Sequence, residues 1–163
     1  MDIISHGLYG GVAFGRMRRR DYVTAFLFGI GPDLLAFAPL FIINLVSGGA
    51  MGRPSLETIP PYVFTVYGIT HSLVVYALFF AFIWFLGKKH FAKLTLAWLL
   101  HILVDIPTHD FAFFPTPFLW PISDFHINGI SWGQPIIFIP NIILLLSLYV
   151  YWYIQRRKTR SKR

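Results

Sequence analysis

The sequence predicts an all-α fold, a polytopic membrane bundle of four transmembrane helices with a short N-terminal half-helix. The first observation is composition: 56% of the 163 residues are hydrophobic and 13% are charged, whereas soluble domains carry about 25% charged residues. The second is the recurrence of long apolar runs, which indicates that the surrounding solvent is lipid. The third is that basic clusters flank these runs, as is typical of cytoplasmic membrane boundaries.

Four apolar segments account for most of the chain. A helix needs about 20 apolar residues to cross a bilayer. The first, second and fourth segments meet this requirement. The third segment in chain order is too short unless the aromatic residues at 111–114 extend it. The segments cover residues 22–46, 62–86, 91–106 and 135–154.

Residues 2–15 precede the first span and are too few to cross the membrane. They do not form a secretory signal, because the basic cluster follows the apolar stretch instead of preceding it. Asp2 is placed to cap a short helix, and four glycines in the stretch favour close packing against other helices. We therefore expect a half-helix that packs within the bundle.

The net charge of +7 raises the question of which partner the basic residues meet. Each basic cluster abuts an apolar run, which predicts membrane lipid, not nucleic acid, as the partner. A DNA-binding tail at 156–163 stays open as an alternative. The clusters are residues 16–20, the group Lys88, Lys89 and Lys93, and residues 156–163.

The same clusters predict an orientation. If residues 16–20 are cytoplasmic, four crossings place thirteen of the fourteen Lys and Arg residues inside the cell and leave Arg53 outside. We expect a multi-pass protein whose basic N-terminal turn and C-terminus are cytoplasmic. Its predicted organisation is one membrane-embedded helical domain over residues 1–155 and a basic cytoplasmic tail over 156–163.

Ionisable residues at membrane depth mark the predicted functional site. Each such side chain costs about 2.5–3.5 kcal/mol to insert, so each needs a physical reason. The chain has no cysteine, so a metal site would use histidine and carboxylate ligands. His109 and Asp110 border the group, whereas His90 is interpreted as a solvated residue of the inner turn. The residues are His6, Asp33, His71, His101, Asp105, Asp124 and His126.

Two of the predicted spans carry carboxylates. His101 and Asp105 are four residues apart, which places them on one helix face about 6 Å from each other; simple mutual neutralisation is the alternative to ligation. Asp33 follows Gly31 and Pro32, where we expect the first span to break or kink. Asp33 would then lie in the first turn of a new half-helix, where capping of the freed amides is the structural alternative.

The remaining histidines have their own alternatives. Thr70 is predicted to be the N-cap of the second span, and His71 beside it would either face the site or face the headgroups. His6 lies on the glycine-rich half-helix, where a lone histidine is often a packed residue with one hydrogen bond. Ser72 is interpreted as a helix-start residue.

These residues are predicted to lie at similar depths in the membrane, within one belt in its middle to outer part. At 1.5 Å per residue, Asp33, His71, His101 and Asp105 lie about 18, 22, 12 and 18 Å above their inner flanks, and His6 lies about 15 Å above its own. Imidazoles and carboxylates that converge from several helices indicate a site for zinc, manganese or iron. We expect either one metal with an aspartate that hydrogen-bonds to its ligands or two metals bridged by a carboxylate. The predicted ligands are His6, Asp33, His71, His101 and Asp105.

The order of these motifs resembles a bacterial family of membrane-bound metal-dependent hydrolases, one branch of which is LexA-regulated and lies in the inner membrane. The resemblance covers most of residues 1–125. It implies an inner-membrane location, a metal cofactor and hydrolytic activity. The matching stretches are His6, Pro32-Asp33, Thr70-His71-Ser72, His101-Ile-Leu-Val-Asp105 and Pro117-Phe-Leu-Trp-Pro121.

Two positions depart from the family pattern. The family has Pro-Asp-x-Asp where this chain has Leu35, and it has His-Arg-Gly where this chain has Tyr67-Gly-Ile. Two potential ligands are therefore absent, which argues against a two-metal site unless residues of the outer loop replace them. The loop candidates are His109, Asp110, Asp124 and His126.

The favoured hypothesis is a metal-dependent hydrolase whose site opens toward the outer membrane face. A divalent metal, zinc first, would activate water, and Asp33 or Asp105 would take the proton. The depth of the site favours an amphipathic substrate, with a lipid phosphoester as the first expectation. The rivals are a non-enzymatic ion or proton pathway and a structural bundle that the polar cluster holds together.

Overall fold

The computed structural model describes residues 1–48 and 56–160; the side chain of Arg160 is not described, and Arg53 lies outside the described residues. Within these ranges the chain is helical and has no strand, as predicted. The helices are α1 (Ile3–Phe14), α2 (Arg19–Val46), α3 (Pro61–Thr70), α4 (Leu73–Phe85), α5 (Lys89–Thr108) and α6 (Pro135–Arg160), with a short 3-10 turn at Leu56–Thr58.

Three helices, α2, α5 and α6, are long and apolar enough to cross a membrane. The α3 and α4 helices meet the same criterion only together, as one span that bends by 54° at its break. The described chain thus has three to four candidate spans, and α1 is the predicted short helix beside them. The third span reaches 20 residues because α5 begins at Lys89; residues 111–114 form no helical extension.

The α2 helix corrects one prediction. It runs unbroken from Arg19 to Val46 with Pro32 inside it, so Asp33 starts no new half-helix and caps none. A proline is tolerated within a membrane helix when neighbouring groups satisfy the freed backbone. The carbonyl that Pro32 leaves without its helical partner is that of Phe28. Close to it, the ring of His101 donates to the Gly29 carbonyl at 2.7 Å, and the Thr70 hydroxyl lies 3.2 Å from the Pro32 carbonyl.

The break between α3 and α4 corrects a second prediction. Ser72, not Thr70, is the N-cap of α4, and its hydroxyl accepts from the amides of Val74 and Val75. The Thr70 hydroxyl instead donates to the Val66 carbonyl at 2.9 Å and closes the last turn of α3. His71 therefore lies between the end of α3 and the start of α4, so the periodicity of neither helix sets the direction of its side chain.

The α1 helix packs deeply among α2, α5 and α6. Asp2 caps it as expected, with the carboxylate accepting from the Ser5 amide. Its glycines allow close approach: a Cβ at Gly10 would lie 2.7 Å from the Ala25 carbonyl oxygen. Hydrogen bonds to α6 include Tyr9 to Asn141 at 2.9 Å. The rest of α6 presents exposed apolar side chains, which suits a helix that faces lipid.

Two ends of the bundle differ in charge. At the end we call the basic end, the His90 ring lies 3.0 Å from the Asp21 carboxylate, and Arg156 donates to the Arg16 carbonyl at 3.3 Å. The three basic clusters therefore lie together. His90 sits in the first turn of α5 with a side chain that is 68% exposed, so it is solvated as expected but paired. The opposite end, the loop end, is covered by residues 109–134.

Candidate metal centre

Four buried side chains from three parts of the chain meet at the loop-end half of the bundle. Each offers one ligand atom, and these four atoms lie within 4.8 Å of one another. Asp33 comes from α2, His71 from the break between α3 and α4, and the last two from successive turns of α5. The four are Asp33, His71, His101 and Asp105.

The spacing of the ligand atoms suits a single ion. The Nε2 atoms of His71 and His101 lie 2.9 Å apart. Asp105 Oδ2 lies 3.1 Å from the His101 nitrogen and 3.5 Å from the His71 nitrogen, and Asp33 Oδ1 lies 3.8 and 3.4 Å from the same two atoms. A tetrahedral zinc ion, with ligands at about 2.0–2.1 Å, separates its ligand atoms by about 3.3 Å. The group could therefore hold a metal ion.

Hydrogen bonds to the backbone orient both rings. His101 Nδ1 lies 2.7 Å from the Gly29 carbonyl oxygen, and His71 Nδ1 lies 3.1 Å from the Tyr67 carbonyl oxygen. A carbonyl can only accept, so these contacts favour a ring proton on Nδ1 and a lone pair on Nε2. His71 Nδ1 also lies 3.0 Å from the Thr70 hydroxyl, which can donate to it in the other tautomer. Backbone contacts of this kind orient the histidine ligands of metal sites.

The group consists of two imidazoles and two carboxylates, and the Met1 ammonium contacts Asp105 Oδ1. The two Nε2 atoms face each other at 2.9 Å, and the buried Asp105 Oδ2 receives no hydrogen bond. With both rings protonated on Nδ1, the facing lone pairs repel each other unless a cation lies between the donors, either a metal ion or an added proton. The donors, two imidazole nitrogens and two carboxylate oxygens, are those that zinc, manganese and iron accept.

Two further histidines lie beside this group rather than within it. His6 Nε2 lies 2.9 Å from Asp105 Oδ1, although its direction is not that of a hydrogen bond, and its ring stacks on His101 at a centroid distance of 3.7 Å. His109 Nδ1 lies 3.4 Å from the same oxygen; burial lowers the pKa of His109, which favours its neutral form. The Met1 backbone nitrogen also contacts Asp105 Oδ1.

The other loop candidates do not join the site. Asp110 accepts from the Ala112 amide at 3.1 Å, and Asp124 is exposed. Neither they nor His126 belong to the described His/Asp group. Of the loop residues that the sequence offered as replacements, His109 alone contacts a member of that group among the contacts of the described chain.

The two departures from the family pattern occupy different places. Leu35 is 64% exposed and therefore faces away from the buried site. Tyr67 is buried and stacks on His71 at a centroid distance of 3.7 Å, while its hydroxyl donates to the Phe114 carbonyl at 3.2 Å. Sequence reasoning missed this support for His71; the spacing of four residues between the two was the available signal.

Two cavities lie near the group, and none of its four residues lines either of them. The first, of about 340 Å³, is at the loop end, and His109 connects it to Asp105. It is lined by His109, Asp110, Phe113, Ser131, Trp132 and Gly133. The second, also of about 340 Å³, is an apolar groove. Two of its lining residues, Pro32 and Thr70, directly precede Asp33 and His71 in the sequence. It is lined by Thr24, Leu27, Phe28, Gly31, Pro32, Leu35, Thr70 and Trp98.

Comparison with known proteins finds one family. The family model described as YdjM inner membrane protein matches residues 1–162. No curated protein and no solved structure matches. The expectation of a bacterial inner-membrane family is thereby confirmed, and the metal-dependent hydrolase activity stays a prediction.

Proposed function

This chain belongs to the YdjM inner membrane protein family, and we propose that it is a membrane-embedded, metal-dependent hydrolase. The observation that carries the proposal is the pair of imidazole Nε2 atoms 2.9 Å apart, flanked by two carboxylates and buried from water. Zinc is the proposed metal, since it combines well with mixed nitrogen and oxygen donors. The proposed ligands are His71, His101 and Asp105, which would leave the fourth position to water; Asp33 would lie beside that water, and His6 would support the site through Asp105.

The proposed chemistry is hydrolysis, in which the bound metal would lower the pKa of water and polarise the scissile bond. The residues of the chain divide the remaining tasks. Asp105 is fully buried and held between both histidines, so it fits a fixed ligand. The side chain of Asp33 keeps 9% exposure, so it is the better candidate to accept the proton from the attacking water.

The proposed substrate is an amphipathic phosphoester, a membrane lipid in the first instance. Its polar group would enter through the loop-end cavity beside His109, which contacts Asp105 at 3.4 Å. An acyl chain would follow the apolar groove, which Pro32 and Thr70 line. Each of these two residues precedes a residue of the proposed site in the chain. Both features support a substrate that is partly polar and partly apolar.

We also propose the orientation that the basic clusters predict. The basic end would face the cytoplasm and the loop end the outer side of the inner membrane. The gathering of the basic turns at one end, for example through Arg156 and Arg16 at 3.3 Å, supports this arrangement. The site would then open toward the outer face.

The test is elemental analysis of the purified full-length protein, prepared without chelator. Wild type should carry about one equivalent of zinc, manganese or iron per chain. His71→Ala and Asp105→Ala should lose it, whereas His90→Ala, at the exposed basic end, should retain it. Helical content from circular dichroism controls for folding. A metal-free wild type would overturn the proposal in favour of a proton between the two rings.

The reaction itself is tested on protein loaded with the metal. The protein is reconstituted in lipid nanodiscs, and release of phosphate or headgroup is measured for a phospholipid and for a water-soluble phosphodiester. We expect turnover of the phospholipid, and its loss in Asp33→Asn. Loaded protein that cleaves neither compound would contradict the hydrolase with this substrate class while leaving the metal site standing.

A further inference from the structure

A third cavity, of a different kind, lies at the basic end, far from the His/Asp group. It has a volume of about 610 Å³ and opens between the turn that joins α1 to α2 and the last turns of α6. Its lining combines two arginines with two aromatic side chains, a methionine and uncharged polar side chains. Among the lining residues are Arg16, Met17, Trp152, Gln155, Arg156 and Thr159.

The guanidinium of Arg156 is held in place within this cavity. It lies 4.6 Å from the centre of the Trp152 ring, and it donates to the Arg16 carbonyl at 3.3 Å. Trp152 is itself stacked on Tyr22 at 5.6 Å and 10°. A guanidinium has five N–H donors, so it can keep this contact and still bind a phosphate through two parallel hydrogen bonds.

The charge around the cavity is uncompensated. None of the described lining residues is acidic. Asp21, the acidic residue of the adjoining turn, is paired with His90 at 3.0 Å. Arg157 lies over the Tyr153 ring at 5.0 Å on the same helix end and adds further positive charge. An anion at this position would meet attraction without a competing carboxylate.

The surroundings of the cavity are apolar, which decides the kind of anion. Met17 is 82% exposed at its rim, and Tyr151 is 56% exposed. The exposed side chains of α6 continue this surface along the bundle, for example Val150 at 57%. A ligand that fits has a phosphate for the arginines and hydrocarbon for the face of α6.

From these observations we propose that the basic-end cavity is a binding site for the headgroup of an anionic phospholipid, with its phosphate between Arg16 and Arg156. Basic pockets between membrane helices recognise lipid headgroups in this way. The proposal is independent of the hydrolase hypothesis, because the cavity shares no residue with the His/Asp group. The lipid would be a bound partner at this site and not a substrate.

The experiment measures binding of short-chain phosphatidylglycerol to the purified full-length protein in neutral detergent. The salt concentration is 0.15 M, where charges more than about 8 Å apart are largely screened. The Arg16→Gln/Arg156→Gln variant should bind about ten-fold more weakly or worse. The control Arg19→Gln/Arg20→Gln removes the same charge from exposed residues outside the cavity and should bind within about two-fold of wild type.

Further arms separate the sources of the phosphate group. Short-chain phosphatidylcholine and inorganic phosphate should both bind much more weakly than phosphatidylglycerol. Inorganic phosphate that binds as tightly as the lipid would overturn the proposal in favour of a free-anion site. Equal losses in the two double variants would overturn it in favour of a diffuse charge effect.

A folding control keeps the test decisive. Arg156 contacts the backbone of residue 16, so the single variant Arg16→Gln leaves that contact intact if the double variant is unstable. Arg16→Gln should still weaken lipid binding several-fold at unchanged thermal stability. Unchanged lipid affinity in this stable variant would contradict the site.

Discussion

The imidazole rings of His71 and His101 approach each other through their Nε2 atoms, 2.9 Å apart, while each Nδ1 faces a backbone carbonyl. The ring of His101 cannot turn its proton toward His71 without losing its backbone partner. Together with the two carboxylates the pair could hold a metal ion, and the consequences of that proposal for metal binding, stability and packing can be measured separately.

The ring of His6 should tune the metal site without being essential to it. It stacks on His101 and lies 2.9 Å from Asp105 Oδ1. His6→Phe keeps a ring against His101 but removes the nitrogen, so metal affinity should fall about 10–100-fold. Competition with a chromophoric chelator measures this, with His126→Phe as control. An affinity loss as complete as that of His101→Ala would instead make His6 a direct ligand.

Two glycines of α2 that are two residues apart in the sequence provide a matched test of packing. A Cβ at Gly29 would lie 2.4 Å from the His6 carbonyl oxygen, whereas a Cβ at Gly31 meets nothing within 4 Å. Gly29→Ala should therefore lower the free energy of unfolding by about 1–3 kcal/mol, and Gly31→Ala should not lower it. Unfolding in mixed micelles measures both. Equal effects would contradict the close contact of α1 with α2.

Removal of the metal should destabilise the fold, because the donors are then left facing one another. At a free-metal concentration about a hundred times its Kd, binding contributes about 2.7 kcal/mol, so chelation should lower Tm. The same contribution should disappear as the pH falls, since protons compete for the ligands. Thermal melts with and without chelator measure the effect. Asp105→Ala should melt identically under both conditions, and a chelator effect that persists there would place the metal elsewhere.

The orientation can be tested by labelling single introduced cysteines, because the chain contains no cysteine of its own that would react. Asp124 and Lys158 are exposed at opposite ends of the bundle. In spheroplasts, a membrane-impermeant maleimide should label Asp124→Cys directly and Lys158→Cys only after lysis. The reverse pattern would invert the proposed topology.

Local and periodic features of the site were predictable from the sequence. The spacing of His101 and Asp105 placed them on one face of α5, and the depth estimate brought Asp33 and His71 to the same level; the structure confirms this meeting. These predictions depend only on helix geometry, which is the same in every protein.

Features that depend on tertiary contacts were not predictable. The α2 helix runs through Pro32 without a break, and side chains from other elements bind carbonyls near the proline, for example His101 at Gly29. Whether Thr70 or Ser72 caps the following helix depends on which hydroxyl finds a free carbonyl. A single sequence shows the hydroxyls but not their partners.

The break that presents His71 is held open by residues that come much later in the chain. The Leu73 amide donates to the Phe118 carbonyl at 2.9 Å, and the Ser72 hydroxyl donates to the Trp120 carbonyl. Because residues 118 and 120 contribute these contacts, the break should take its final shape only after they have been synthesised. The proposed metal should then bind late in biogenesis, and a nascent chain stalled before residue 118 should carry none.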